Sequence, residues 1–98
     1  AVRERLDRED LTVLAYRFKG DQICRAERFA AYAAALGDRF IGRELPDEAA
    51  SSDVSPFFAR HVPFPHSVVT QHLIDEAGQP TIAARDEILT FFRARLAP

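Results

Sequence analysis

The apolar positions change period along the chain and divide it into a few segments. Leu11-Thr12-Val13-Leu14-Ala15-Tyr16-Arg17-Phe18 is a mostly apolar run of strand length with β-branched and aromatic members, which predicts a buried strand over 11–18. Gly20-Asp21 breaks the run. From Arg25 the positions Ala26, Phe29, Ala30, Ala33 and Leu36 recur at three- and four-residue steps and stop before Gly37, which predicts an amphipathic helix over 25–36 with a glycine just past its end. A second strand is expected at Phe40-Ile41-Gly42-Arg43-Glu44-Leu45, halted by Pro46.

Beyond Pro46 the periodicity lapses. Asp47 to Pro65 holds three prolines and three serines without a sustained period, so 46–80 reads as a long loop with one helical turn near Ser55-Pro56-Phe57-Phe58. Loops of this length are usually functional or disordered. After the turn-rich Asp75-Glu76-Ala77-Gly78-Gln79-Pro80, Thr81 can cap a last helix over 81–97. Its expected inner face is Ile82, Leu89, Phe92 and Leu96, with Ile88 and Phe91 alongside, and Arg93 and Arg95 suit the negative end of its dipole. Residues 1–8 are strongly charged and helix-compatible, and no internal repeat is visible.

The expected fold is therefore α/β, a β-α-β-(loop)-α unit with a two-stranded parallel sheet, in one domain spanning 1–98. Such a sheet needs both faces covered and leaves two unpaired edges. The unit is expected to be part of something larger, completed either by strands from a missing N-terminal portion or by a second copy that pairs its edges.

Size and charge narrow the field. A 98-residue chain buries only about 60–70% of the surface its unfolded form exposes, so the core is expected to be thin. Lys and Arg number 13 against 15 Asp and Glu, interleaved, giving a net charge of −2, and no basic block marks a nucleic-acid binder. No apolar run reaches the about 18 residues of a membrane span, and Ala1-Val2-Arg3-Glu4-Arg5 is charged where a signal peptide is apolar. The single cysteine, Cys24, has no internal partner, which suits the cytoplasm. The lack of methionine and the start at Ala1 leave a removed initiator, a cut longer protein and an engineered start equally open.

Candidate chemistry gathers where open parallel sheets bind ligands, beyond the carboxyl ends of the strands. Asp21 sits there, just after the first strand, on the turn that feeds the helix. Its plain reading is a turn or capping aspartate that accepts backbone N–H bonds. His66 lies on the loop beyond the second strand, between Pro65 and Ser67, and an imidazole held by a carboxylate can take and return a proton. His61, beside Arg60, reads as a solvated loop histidine, and His72, among Val68, Val69, Leu73 and Ile74, as half-buried structure.

Metal binding by the histidines with Asp53 and Asp75 is disfavoured, since no H-x-x-x-H, C-x-x-C or H-E-x-x-H pattern occurs. No cofactor is expected. A hydrolase nucleophile on a sharp strand-to-helix turn needs small residues two positions before and after it. None of Ser51, Ser52, Ser55 and Ser67 has such flanks, and Gly20, Gly37, Gly42 and Gly78 are never four apart. Cys24 lies near a helix start, where a thiol can be activated, but a capping or packing cysteine is the favoured reading.

Leu14-Ala15-Tyr16-Arg17-Phe18-Lys19-Gly20-Asp21, Ile23-Cys24-Arg25-Ala26-Glu27-Arg28-Phe29 and Ala35-Leu36-Gly37-Asp38-Arg39-Phe40 together resemble the end of dienelactone hydrolase-like α/β-hydrolases. His66-Ser67-Val68-Val69-Thr70 and Pro80-Thr81-Ile82-Ala83-Ala84-Arg85-Asp86 continue the likeness in order, from about Leu11 to Leu96. The resemblance implies a partial α/β-hydrolase fold holding the last two parallel strands. It also implies that Asp21 is the triad acid and His66 the triad histidine, acting on a small-molecule ester or lactone. The nucleophile, earlier strands and oxyanion-hole loop are missing, Arg25 stands where a proline is expected, and the loop before His66 is long. The chain alone is accordingly expected to be inactive.

A rival expectation is a non-enzymatic interaction or dimerisation module on a hydrolase-derived scaffold. It would self-associate through open strand edges or through Phe57, Phe58, Phe64, Phe91 and Phe92.

Overall fold

A computed structural model describes residues 11–96. The charged stretch 1–8 and the expected last helical position, 97, lie outside the described residues. Strand β1 (Val13–Phe18) leads through helix α1 (Ala26–Leu36) and a 3₁₀ turn to strand β2 (Phe40–Leu45), and the two strands pair in parallel from Val13 opposite Phe40 to Phe18 opposite Leu45. A short helix α2 (Pro56–His61) and a long helix α3 (Pro80–Leu96) follow. Among the described residues this is a small α/β unit whose sheet has two strands.

The second strand matches its expected bounds, and three boundaries differ. Leu11 and Thr12 precede β1, which starts at Val13, and Arg25 caps α1 rather than opening it. The stretch read as a loop over 46–80 contains a 3₁₀ turn at Asp47–Ala49 and the six-residue α2, for which Ser55 Oγ accepts the N–H of Phe58 at 3.1 Å and Pro56 supplies a preset first turn. Thr81 does not cap α3. The helix begins at Pro80, and Thr81 is wholly buried, its Oγ1 accepting the N–H of Ile74 at 2.9 Å.

The core is small. Phe18, Ala49, Val68 and Ala84 form its centre with Tyr16, Leu45 and Ala50 packed around them. The expected faces of the helices are only partly used, and this corrects the periodicity. Of the α1 positions only Leu36 is buried, Phe29 and Ala33 are half-buried, and Ala26 and Ala30 are exposed. On α3 the buried positions are Thr81, Ile82 and Ala84, whereas Leu89, Phe92 and Leu96 are exposed around an open cavity of about 430 Å³. β1, expected to be buried throughout, is buried only at Arg17 and Phe18. The physical reason is common to all three: among the described residues a two-stranded sheet and its helices offer too little surface to one another, so apolar positions stay open.

What cross-links exist are specific. Phe29 of α1 meets Phe40 of β2 edge-on at 5.1 Å, and a Cβ added at Gly42 would lie 2.6–2.8 Å from these two rings. Gly42→Ala is expected to destabilise the chain by about 1–3 kcal/mol through overpacking, read as a lower urea midpoint at unchanged slope. One rung further along the sheet Glu87 on α3 accepts from Tyr16 and, at 3.2 and 3.1 Å, from Arg43, joining both strands to the helix. Burial and the Glu87 carboxylate push the Tyr16 phenol up to about 12. Gly37, past the end of α1 at φ 57°, returns its N–H to the carbonyl of Ala33.

Candidate active site

The site forms beyond the carboxyl ends of the strands. Lys19 N–H extends the pairing by bonding the carbonyl of Leu45 at 3.0 Å, and the chain then turns, Asp21 N–H donating to the Phe18 carbonyl at 3.1 Å. The N–H of Gly20 donates to Asp47 Oδ1 at 2.7 Å, which fastens the turn to the residues just past β2. Asp21 is 4% exposed. Its Oδ1 accepts the N–H groups of Ile23 and Cys24 at 2.8 and 3.0 Å, the local turn expected of an aspartate before a helix.

The second oxygen faces another part of the chain. Asp21 Oδ2 lies 2.8 Å from Nδ1 of His66, 45 residues further on. A carboxylate only accepts, so the proton of this bond belongs to Nδ1, and the lone pair of the neutral ring lies on Nε2. The His66 side chain is 33% exposed against 1% for Asp21, so the acid is sequestered while the imidazole keeps an open side. The turn reading and the site reading of Asp21 hold together, because each uses a different oxygen.

The chain matches no family model, no curated protein and no solved structure. What the arrangement can do therefore rests on its own geometry.

Two buried side chains support the pair: Arg17, for which the sequence suggests no role, and His72, read there only as half-buried structure. Arg17 is 3% exposed; its Nε donates to the Cys24 carbonyl at 2.8 Å, its Nη2 to the carbonyls of Lys19 and Asp21 at 3.2 and 3.3 Å, and its Nη1 to Glu44. The guanidinium thus gathers the carbonyls of the Asp21 turn from below. The signal for it was an arginine inside an otherwise apolar strand.

His72 serves the other loop. Its Nδ1 accepts the backbone N–H groups of His66 and Ser67 at 3.1 and 2.9 Å. The ring packs edge-on against Phe18 and Phe58, and His72 is buried, more deeply than its half-buried reading. Burial, with the neighbouring His66 adding and Asp21 opposing, lowers the His72 pKa below the usual 6.5.

This has a sign. An unfolded chain binds a proton at His72 as pH falls through about 6.5 while the folded chain resists, so stability is complete above that value and drains away as pH falls through the folded-state pKa. Urea titrations at about pH 7.5 and pH 5 should show a larger loss for the wild type than for His72→Asn.

Of the remaining candidates, Cys24 meets the pair through its backbone N–H and His61 bonds elsewhere. His61 ends α2 and its Nδ1 contacts the Phe57 carbonyl at 2.8 Å, so it is an exposed helix-end residue rather than a loop histidine. Cys24 is unpaired and precedes the cap of α1 by one residue, so it does not cap the helix with its side chain; its backbone serves Asp21 and Arg17. Among the described residues no three of His, Cys, Asp and Glu converge as metal ligands, and no helix is long and apolar enough to cross a membrane.

Proposed function

We propose that this chain supplies the acid and histidine of a carboxylic-ester or lactone hydrolase resembling the dienelactone hydrolases. The observation that carries this reading is the 2.8 Å bond between Asp21 Oδ2 and His66 Nδ1, made by a buried carboxylate whose other oxygen is held by two backbone N–H groups. In the proposed reaction His66 Nε2 takes the proton of a serine hydroxyl or cysteine thiol as that group attacks the substrate carbonyl. Asp21 stabilises the imidazolium, which returns the proton to the departing alcohol, and water repeats the cycle to free the acid. The nucleophile belongs to polypeptide beyond these 98 residues, and the lone Cys24 suits the cytoplasm as compartment.

The test is to express the chain with the polypeptide encoded upstream, if that polypeptide carries a Gly-x-Ser/Cys-x-Gly turn, and to assay hydrolysis of p-nitrophenyl acetate. Hydrolysis that disappears in His66→Ala is expected. Absence of such a turn, no hydrolysis by the reassembled wild type, or undiminished hydrolysis by His66→Ala would overturn the reading.

A second reading, a self-associating module without catalysis, is favoured by one observation: Leu89, Phe92 and Leu96 are exposed together on α3 while the sheet has two strands. It predicts that the purified chain sediments as a tight dimer. A folded monomer at all accessible concentrations contradicts it.

A further inference from the structure

We propose that His72 is a positioning residue for His66: by accepting the N–H groups of His66 and Ser67 on one ring nitrogen, it fixes the backbone from which the His66 imidazole reaches Asp21. The inference rests on the proton-relay reading of the Asp21–His66 pair and adds to it the group that sets the pair's geometry.

Two consecutive backbone donors converging on one side-chain acceptor define the local path of the chain at His66 and Ser67, at 3.1 and 2.9 Å. The grip is reciprocal. The N–H of His72 donates to the Ser67 carbonyl at 2.9 Å, and the His72 carbonyl accepts from Ser51 at 2.8 Å, so ring and backbone of one residue bind the loop to itself and to the segment after β2. The ring is flanked edge-on by Phe18 at the end of β1 and Phe58 of α2, at 6.0 and 5.4 Å. Phe18 also gives its carbonyl to the N–H of Asp21. Both members of the pair are thereby referred to the same β1 residue, Asp21 through the backbone and His66 through the His72 ring.

Chemistry restricts the state in which this works. A ring nitrogen can accept only while it is unprotonated, so the proposal requires the tautomer with its proton on Nε2. Ring packing and acceptance are separable by substitution. Asn places Oδ1 where Nδ1 stands and keeps the acceptor without the ring, while Phe keeps the ring between Phe18 and Phe58 without the acceptor.

The experiment is a proton–nitrogen spectrum of the imidazoles in the 98-residue chain, wild type and variants. In the wild type the His66 proton on Nδ1 should give a downfield, slowly exchanging resonance, and His72 should show an unprotonated Nδ1. His72→Asn should keep the His66 resonance. In His72→Phe it should be lost or exchange at least about tenfold faster, the factor expected when a buried acceptor is removed.

The opposite pattern, retention in His72→Phe and loss in His72→Asn, is what packing alone would give and overturns the proposal. A proton on Nδ1 of His72 in the wild type overturns it too, without need of any variant and even if His72→Phe fails to fold. A folded wild type without the His66 resonance instead removes the Asp21–His66 pair itself, so failure of the relay reading is distinguishable from failure of the positioning role.

Discussion

On the proposed hydrolytic reading, Asp21→Asn is expected to lower the turnover of the reassembled protein by about 10⁴-fold, the loss that accompanies a histidine held in the wrong tautomer. An asparagine can still turn its carbonyl oxygen to the N–H groups of Ile23 and Cys24, which Oδ1 of Asp21 now satisfies at 2.8 and 3.0 Å. Its NH₂ then faces His66. Confronted with a donor, Nδ1 must become the acceptor, and the ring proton moves to Nε2, where it blocks removal of the nucleophile's proton. The turn survives, so thermal stability should fall far less than turnover. Measured kcat/KM and Tm check both halves, and a turnover within about tenfold of wild type would show that Asp21 does not set the tautomer.

Phe18→Ala is expected to cost about 3–5 kcal/mol, the usual loss for a fully buried phenylalanine. Phe18 is 0% exposed and stands at the centre of a cluster whose other buried members are Ala49, Val68 and Ala84. Two of those are alanines, with little side chain to move into the gap. A chain of this size has a net stability of about 0.05–0.15 kcal/mol per residue, so the loss is a large share of the total. The same ring buttresses His72, so the site should loosen with the core. Urea unfolding followed by circular dichroism should show a markedly lower midpoint at unchanged slope, and a change below about 1 kcal/mol would mean that the core lies elsewhere.

Much of the local structure was legible because it is written in local signals. The run ending at Phe18, the Gly-Pro punctuation and the α1 spacing gave β1, α1 and β2 within two residues, since strand and helix periods need no tertiary information. The meeting of Asp21 with His66 was legible from topology, because parallel strands bring both connecting loops to one end of the sheet, and from the family resemblance that pairs the two residues.

Other features depend on how little covers the sheet and the helices among the described residues. The apolar character of Leu89, Phe92 and Leu96 predicts a buried face, but burial needs a surface to pack on, and two strands do not provide it. Thr81 looked like a cap because threonine favours that position, yet its hydroxyl serves Ile74 inside the fold, a contact that no local pattern encodes. The roles of Arg17 and His72 in the site reach only a few residues along the chain yet were no more legible. Apart from Glu44, their hydrogen-bond targets are backbone groups, which carry no residue-type signal.

The joining of Asp21 to His66 is tested most directly by a double-mutant cycle on stability: Asp21→Ala, His66→Ala and the pair together, unfolded in urea near neutral pH. Direct hydrogen bonding predicts a coupling of about 0.5–3 kcal/mol, beyond whatever each side chain contributes to its own loop. Strict additivity of the two losses, within about 0.3 kcal/mol, would contradict it.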